Sequence, residues 1–402
     1  MANTFNLGNG NWAQKTEKLL AYNAENDNYK PLPFTFDRAS TATVVNKQGL
    51  IETVGADEPR IDFTDNTKGA LLLEPSRTNL VTQSNNTTTT NVWSHYSYGG
   101  GLIVDTYGYD SPDGKNEASR LVYTNSSAGS GGALLTTNIT LLATGIYTIS
   151  LWAKSVSGTK EIRFSPKSTS SSGTLGSRIT LTNEWKRYTH TFTNDGGTSR
   201  GFQFRIGESE DSGDRTFDVW GMTIEQGSYA TSYIPTQGSA VTRLADSCNN
   251  GGNDQVINST EGTVFVDFNQ KITNQNTTRR IITLTDGNAN DRIVFYITAQ
   301  NKIEYYIRNS SGQLFLGQST TDYGNSVGRH KIAATYKDGD YALFMDGNLI
   351  ISGTGTSGTI PSCNRIDVGN QLGASDLFEP INDVKLYNTR LSNSELAALT
   401  QV

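Results

Sequence analysis

Cysteine and histidine are scarce in this sequence of 402 residues, and their scarcity argues against several classes of site. The two cysteines, Cys248 and Cys363, are too few for a disulfide framework in a chain of this length. We expect both to be reduced and inert, the alternative being one disulfide bond that staples the C-terminal domain. The three histidines do not cluster with the cysteines, which argues against a zinc site.

Long apolar runs and long basic runs are also missing. No stretch approaches the ~20 apolar residues that a membrane-spanning helix needs, and the start of the chain lacks the apolar core of an export signal. We therefore expect a protein that is soluble as made and does not insert into a membrane. The formal net charge is −6, and without clustered lysine and arginine we expect no nucleic-acid partner.

The sequence is instead rich in glycine, with 40 residues, and in aromatic residues, with 18 Tyr, 15 Phe and 5 Trp. Short runs of alternating polarity, such as residues 147–153 and 186–192, lie between turns rich in Gly, Ser and Asn. This alternation is typical of antiparallel strands that bury one face. The predicted fold is all-β, with two antiparallel β-sandwich (jelly-roll) modules after a short N-terminal arm and a small β adaptor.

Changes in composition and in the pattern of strands along the chain predict four segments. They are an N-terminal anchoring arm (1–33), a small β adaptor (34–85), a jelly roll with its connector (86–247) and a second sandwich (248–402). Within the last segment, Asp338-Gly339 predicts a hairpin turn, and Ser392 with Glu395 predicts a capped helix that ends at Leu399.

The arm has too few apolar residues to form a core of its own. A short helix is predicted between Lys15 and Ala24, and the prolines that follow end it. We expect the arm to become ordered on a partner, the alternative being a frayed terminus. The adaptor is also small, and its apolar run Leu71-Leu72-Leu73 predicts burial against other copies in a homotrimer.

Two sets of motifs are specific in combination. The first set consists of Phe36-Asp37-Arg38-Ala39-Ser40-Thr41-Ala42-Thr43, Gly49-Leu50-Ile51, Pro59-Arg60-Ile61-Asp62-Phe63, Leu72-Leu73-Glu74-Pro75-Ser76-Arg77-Thr78-Asn79-Leu80, Tyr233-Ile234-Pro235-Thr236 and Val241-Thr242-Arg243-Leu244-Ala245-Asp246. It resembles bacteriophage structural proteins of the tail-fibre and head-fibre kind, whose intervening segment resembles a jelly-roll carbohydrate-binding module. The resemblance implies a trimeric virion surface protein, made in the host bacterial cytoplasm, that docks on other virion proteins through residues 1–33.

The second set lies in the C-terminal segment. It consists of Gly328-Arg329-His330-Lys331-Ile332-Ala333-Ala334-Thr335-Tyr336, Tyr341-Ala342-Leu343-Phe344-Met345-Asp346-Gly347 and Ile381-Asn382-Asp383-Val384-Lys385-Leu386-Tyr387-Asn388-Thr389-Arg390-Leu391-Ser392. It resembles the laminin-G or concanavalin A-like lectin/glucanase fold and covers residues 258–402. Since that fold hosts both lectins and glycosidases, the resemblance implies an architecture more than an activity.

Patterns that would indicate catalysis are lacking. Glucanases of the second fold carry paired carboxylates as Glu-x-Asp-x-x-Glu on one strand, and that spacing is absent. The acidic cluster Glu208, Glu210, Asp211 and Asp214 predicts a solvated turn, with a calcium site or a catalytic pair as alternatives. We predict no enzyme, no catalytic residue and no metal ligand, and no cofactor unless that cluster binds calcium.

Aromatic side chains are the candidates for sugar binding, because the CH face of a pyranose packs on an aromatic ring. The candidate residues are Trp93, Tyr96, Tyr98, Tyr107 and Tyr109, and, on a predicted loop of the last segment, Asp322 and Tyr323. The alternative for the first group is a place in the core or at a subunit interface. Trp152, Trp185 and Trp220 lie in alternating strands and are predicted to be core residues.

Three hypotheses of function follow. The leading hypothesis is a virion surface protein, a head fibre, decoration or tail fibre, that presents lectin-like modules to host surface glycans. The second is a polysaccharide depolymerase or glycosidase, against which the missing carboxylate spacing argues. The third is capsid decoration without a ligand.

Overall fold

The protein was analysed as a computed structural model, which describes residues 4–15, 18–29, 33–88, 92–98, 102–124, 131–136, 143–167, 177–194, 201–206, 214–271, 273, 276–369, 377 and 379–402. The first strands are β1 (Phe5–Gly8), β2 (Ala13–Lys15), β3 (Lys18–Leu20), β4 (Phe34–Asp37), β5 (Ala42–Val45), β6 (Ile51–Val54), β7 (Ile61–Asp62) and β8 (Ala70–Leu71). The middle of the chain forms β9 (Arg77–Asn79), β10 (Trp93–Tyr98), β11 (Leu102–Tyr109), β12 (Ala118–Thr124), β13 (Gly131–Thr136), β14 (Gly145–Ser155), β15 (Lys160–Lys167), β16 (Ser177–Leu181), β17 (Lys186–Asn194), β18 (Gly201–Ile206), β19 (Arg215–Gln226) and β20 (Val241–Arg243). The last part forms β21 (Ser247–Gly251), β22 (Glu261–Gln270), β23 (Arg279–Thr285), β24 (Arg292–Ile297), β25 (Ile303–Asn309), β26 (Gly312–Gln318), β27 (Gly328–Lys337), β28 (Tyr341–Met345), β29 (Asn348–Gly353), β30 (Arg365–Val368), β31 (Ile381–Tyr387) and the helix α1 (Asn393–Leu399).

The described residues are nearly all in strands and turns, and their sheets are antiparallel, so the predicted all-β class is confirmed. Contacts divide the chain into two compact units. Unit 1 comprises residues 1–48, 53–75 and 244–402, and unit 2 comprises residues 49–52 and 76–243. No helix in the described part of the chain has the length and apolar character that a membrane crossing requires.

Unit 1 is a β-sandwich. Its described strands form one sheet in the order β29-β28-β27-β22-β31-β8-β7, with β1 also on β31, and a second in the order β2-β3-β4-β21-β30-β23-β24-β25-β26. Alternate residues of each strand enter a common core, as Val264 and Val266 do from β22 and Ile293 and Phe295 from β24. Helix α1 covers the other face of the first sheet, where its buried Leu396 joins a cluster of apolar side chains.

Unit 2 is a second β-sandwich. Its described strands form the sheets β11-β12-β19-β14-β17 and β10-β13-β18-β15-β16, and the short strands β9 and β20 pair separately. The core between the two sheets contains Leu121 and Leu151 from the first and Ile162 and Leu181 from the second. Two stacked antiparallel sheets with one core are the arrangement that the alternating sequence predicts.

The N-terminal region differs from its prediction. The helix predicted between Lys15 and Ala24 is wrong, because β2 ends at Lys15 and β3 occupies Lys18–Leu20. Strand β1 pairs antiparallel with β31, and its Phe5 and Leu7 are fully buried in the core of unit 1. The apolar residues of these N-terminal strands belong to the C-terminal sandwich. Their pairing partners are far away in the sequence, so local periodicity does not reveal the pairing.

The predicted adaptor likewise contributes to unit 1. Leu71, Leu72 and Leu73 are buried within the single chain, and β8 pairs with β7 and with β31. The need for a partner copy that motivated the predicted trimer is therefore met inside the chain. The two units differ from the four predicted segments because strands from the first 75 residues complete sheets whose other strands follow residue 244.

Local signals of turns and caps were more informative. The hairpin predicted at Asp338-Gly339 joins β27 to β28, with Gly339 at a φ of 72°, and is confirmed. Helix α1 has the predicted capping box, in which Ser392 Oγ accepts from Glu395 N and the Glu395 side chain accepts from Ser392 N. Cys248 and Cys363 are both free and buried, and burial raises the pKa of each thiol.

A buried network of four charged residues lies within unit 1. Arg38 pairs with Asp246 at 3.1 Å, and Arg60 pairs with Glu74 at 2.7 Å and with Asp246. The two positive and two negative charges balance, as burial of ionised groups requires. Burial alone would lower the pKa of Arg60, but the charges of Glu74 and Asp246 outweigh it and raise that pKa above its usual value.

Removing one charge should destabilise unit 1 strongly. In Asp246→Asn, Arg38 and Arg60 each lose an ion pair while both guanidinium groups stay buried, and breaking a buried pair in this way costs about 3–5 kcal/mol. We expect the urea unfolding transition of unit 1, followed by circular dichroism, to shift to lower concentration by a corresponding amount. The matched control is Asp65→Asn, whose exposed pair with Lys271 at 3.2 Å is worth about 1 kcal/mol or less. Equal shifts for the two variants would contradict a structural role for the network.

Candidate functional site in unit 2

One face of the sheet β11-β12-β19-β14-β17 carries aromatic and charged side chains. In β14 the residues Ile149, Leu151 and Ala153 enter the core, so Trp152 and Lys154 lie on the opposite face. The same alternation applies to β12 and β19. We define the polar face by the residues Tyr109, Arg120, Trp152, Lys154, Trp185, Arg187 and Asp218.

The indole of Trp152 is held from several sides. Its ring lies 5.4 Å from that of Trp220 in an edge-on arrangement and 5.9 Å from that of Tyr233. The guanidinium carbon of Arg187 lies 4.4 Å from the Trp152 ring centroid. Trp220 and Tyr233 are buried whereas Trp152 is half-buried, so one aromatic surface is fixed in orientation and still reaches solvent.

Glycine at position 221 makes this packing feasible. Gly221 has a φ of +64°, a conformation that other residues adopt at a cost, and it lies where β19 passes beneath Trp152. A Cβ atom at this position would lie 2.8 Å from Cε3 of Trp152, which is closer than nonbonded carbon atoms approach. Any side chain here would therefore displace the indole.

Two cations of the polar face, Arg120 and Lys154, lie around one carboxylate. Asp218 is fully buried and accepts hydrogen bonds from Arg120 Nε at 2.7 Å and Nη2 at 3.0 Å, and Lys154 Nζ lies 3.9 Å away. The hydrogen bonds to Asp218 raise the pKa of Arg120. The guanidinium of Arg120 also lies 3.8 Å from the ring centroid of Tyr109, so its plane is fixed by both contacts.

A second half-buried indole lies beside these charges. Trp185 precedes β17, and Lys154 Nζ lies 4.9 Å from its ring centroid. Lys154 also donates to Asp110, and this hydrogen bond lowers the pKa of Asp110 below its usual value. The face thus offers aromatic surfaces for apolar ring faces and oriented donors and acceptors for hydroxyl groups, the combination that small-molecule sites use.

The predicted sugar-binding residues of this unit are distributed differently. Trp93 is 1% exposed in the core and donates from Nε1 to Gln83 O at 3.0 Å, so its ring cannot present a face to a sugar, which corrects that prediction. Tyr96 and Tyr98 follow it on β10, and their side chains lie outside the described residues. Tyr107 is 42% exposed on β11, and Tyr109 belongs to the polar face beneath Arg120.

The prediction that Trp152, Trp185 and Trp220 are core residues is wrong for Trp152 and Trp185. None of the three belongs to the core between the sheets, and Trp152 and Trp185 are half-buried. Trp220 is buried, but beneath Trp152 and Tyr233 on the outer side of the sheet. The signal was present in the sequence, because Trp152 stands out of phase with Ile149, Leu151 and Ala153.

The other candidates lie elsewhere or are not described. In unit 1, Asp322 is exposed and pairs with Lys302 at 2.6 Å, and Tyr323 is half-buried against the core. Of the acidic cluster, Asp214 is exposed, and Glu208, Glu210 and Asp211 lie outside the described residues. Over the described ranges, no group of three or more His, Cys, Asp or Glu side chains is placed to hold a metal ion.

The position of Trp152 can be tested through Gly221. In Gly221→Ala, the new Cβ and the strained backbone should displace the indole and lower the free energy of unfolding of unit 2 by about 1–3 kcal/mol. We expect the near-ultraviolet circular dichroism of the tryptophans to change while the far-ultraviolet spectrum is kept. Gly158→Ala is the matched control, because Gly158 has a φ of 60° but no neighbour within 4 Å of the added Cβ. An unchanged near-ultraviolet spectrum in Gly221→Ala would contradict the close packing.

Comparison with known proteins identifies one family in this part of the chain. Residues 78–213 match the family model described as "Carbohydrate binding domain". This range contains every residue of the polar face except Asp218. No curated protein sequence matches the chain significantly.

Several solved structures are similar to part of the chain, each at low identity and low structural score. The Ruminococcus gnavus IT-sialidase CBM40 bound to α2,3 sialyllactose is 16% identical, with a TM-score of 0.31 over 37% of this chain and 86% of that chain. The NanB sialidase from Streptococcus pneumoniae is 16% identical, with a TM-score of 0.30 over 37% and 25%. The botulinum neurotoxin serotype D binding domain is 16% identical, with a TM-score of 0.31 over 38% and 39%. The family match shows that the chain contains a segment similar to carbohydrate-binding domains.

Proposed function

We propose that unit 2 binds glycans at its polar face. The observation that carries the proposal is the pair of half-buried indoles, Trp152 and Trp185, fixed beside paired charges within the range that matches carbohydrate-binding domains. A pyranose ring would pack its CH face on an indole. Its hydroxyl groups would exchange hydrogen bonds with Arg120, Lys154 and Arg187.

The affinity of such a site should be modest. An open face buries little of the sugar, and ordering the ligand offsets much of the gain, so we expect a Kd of roughly millimolar to tens of micromolar for one site. Several copies on one particle would raise the avidity by about 10²–10⁴-fold where geometry permits simultaneous engagement. Weak single sites are therefore compatible with useful adhesion.

Two tryptophan variants test the proposal. On a glycan array, the labelled full chain should bind a defined set of glycans, and Trp152→Ala and Trp185→Ala should each weaken that binding by about tenfold or more. Trp12→Ala is the matched control, because Trp12 is a half-buried tryptophan of unit 1. If both unit 2 variants bind like the unchanged chain, the polar face is not the site. If the unchanged chain binds no glycan, the purely structural hypothesis gains support.

We infer further that the polar face binds without catalysing. Its carboxylate, Asp218, is held by Arg120, and the neighbouring Asp110 accepts from Lys154, which lowers the pKa of Asp110 and makes it unsuited to be the proton donor of a glycosidase pair. A reducing-end assay with the glycans that bind should therefore show no release of new ends. Stepwise cleavage would favour the depolymerase hypothesis instead.

We also propose, from the motifs in residues 36–246 that resemble phage fibre proteins, that the chain is a homotrimeric virion surface protein made in a bacterial host. In this proposal, other virion proteins contact the exposed side chains of residues 1–33, because Phe5, Leu7 and Leu19 are buried. Antibodies against the chain should label intact particles at regular positions, and light scattering should give three times the mass of one chain. Particles without label would contradict the virion role, and a monomeric mass would contradict the trimer.

A further inference from the structure

A groove lies on the outer face of the second sheet of unit 1. In β24 and β25 the residues Ile293, Phe295, Ile303 and Tyr305 enter the core, so the residues between them face outward. The groove has a volume of about 290 Å³ and is lined by Arg280, Arg292, Val294, Tyr296, Glu304 and Tyr306, among others. This groove belongs to unit 1, and neither the family match nor the sequence motifs assign it a role.

Strand register brings the two tyrosines to one place. Val294 lies opposite Tyr306 across the pair β24-β25, and Tyr296 lies opposite Glu304. Tyr296 and Tyr306 are therefore diagonal neighbours on one face, close enough for one ligand to contact both rings. Val294 between them faces away from the core but is only 1% exposed, so its neighbours cover it. The apolar surface open to a sugar ring is therefore that of the two half-buried tyrosines.

The charged residues of the groove are Arg280, Arg292 and Glu304. The guanidinium carbon of Arg292 lies 5.0 Å from the Tyr306 ring centroid, and within the described residues Arg292 forms no ion pair. Its Nη1 donates to Ala289 O, and its Nε is buried without a hydrogen-bond partner in the same part of the chain. A guanidinium without an ion pair can still receive a carboxylate through a charge-assisted hydrogen bond.

Glu304 supplies the opposite function. Its carboxylate accepts from Gln318 Nε2 at 3.1 Å, and burial raises its pKa above the usual value. A half-buried carboxylate with free lone pairs accepts hydrogen bonds from hydroxyl groups of a ligand. One acceptor, the guanidinium group of Arg292 and two phenol rings match a ligand that combines a carboxylate, hydroxyl groups and an apolar ring face.

We propose that this groove is a second glycan-binding site, and that its ligand is an acidic saccharide whose ring packs against Tyr296 and Tyr306 while its carboxylate pairs with Arg292. The proposal goes beyond the site in unit 2, since it needs neither Trp152 nor Trp185. The groove would bind uronate-type sugars in preference to their neutral counterparts, because only the acidic sugar offers the Arg292 guanidinium a charged partner.

Calorimetric titration of the full chain with three acidic probes tests the ligand class. The probes are oligogalacturonate, oligomannuronate and hyaluronan fragments, and methyl-esterified oligogalacturonate serves as the neutral counterpart with the same ring. We expect a Kd of roughly millimolar to tens of micromolar for at least one acidic probe, weakened by salt, and about tenfold weaker binding of the ester. Equal binding of the ester, or no binding of any acidic probe at about 10 mM, would overturn the proposal.

Variants then locate the site. Arg292→Gln and Tyr306→Ala should each weaken binding of the acidic probe about tenfold, whereas Tyr306→Phe should retain most of it because the ring face is kept. Lys337→Gln, which removes an exposed cation from the other sheet of unit 1, is the matched control and should bind normally. Circular dichroism of each variant checks that the sandwich is folded. If Tyr306→Ala is not folded, Arg292→Gln and Tyr306→Phe still test the site.

The two sites can fail independently. If Trp152→Ala abolishes binding of the acidic probe and Arg292→Gln does not, the groove is not the site, and the proposed function of unit 2 stands. If Arg292→Gln abolishes it and both tryptophan variants leave it unchanged, the groove is supported whatever the glycan array shows for unit 2.

Discussion

The buried network of Arg38, Arg60, Glu74 and Asp246 is the constraint on which unit 1 depends. The chain leaves this unit after residue 75 and returns at residue 244, so Glu74 and Asp246 lie next to the two crossing points. Glu74 N donates to Asp246 Oδ2 at 2.8 Å, and Asp246 N donates to Glu74 O at 3.0 Å. Since an unpaired buried charge is strongly destabilising, the network joins the segments before and after the insertion in a single arrangement.

This network also explains why charged residues stand in the first set of motifs. Each of its four residues stands in a different motif of residues 36–246, and none of the four is exposed. Asn79, in the same motif as Glu74, uses the full capacity of its amide: it donates to Met222 O and Ile234 O and accepts from Val81 N and Ile224 N. The motifs therefore specify how the units are built, and the residues of the polar face lie between them in the sequence.

The sequence was informative where a signal is local and silent where it is not. Alternation predicted the strands, and Asp338-Gly339 and Ser392 with Glu395 predicted a turn and a cap, because those features depend on neighbouring residues. The pairing of β1 with β31 joins residues almost 380 positions apart, and no local pattern encodes such a partner. The same limit misplaced Trp93, whose burial depends on the opposite sheet, whereas the phase of Trp152 within β14 was visible in the sequence.

Both candidate sites arise from one property of a sandwich strand: filling the core with one set of alternate residues leaves the other set available. In unit 2 the available residues of β12, β14 and β19 place Arg120 and Lys154 around the carboxylate of Asp218. In unit 1 the groove keeps Arg292 without a carboxylate partner among the described residues. A charged ligand at the polar face must compete with the existing pair, whereas a guanidinium without an ion pair gains most from an anionic ligand. Two sandwiches of similar architecture would thus select glycans by different chemistry.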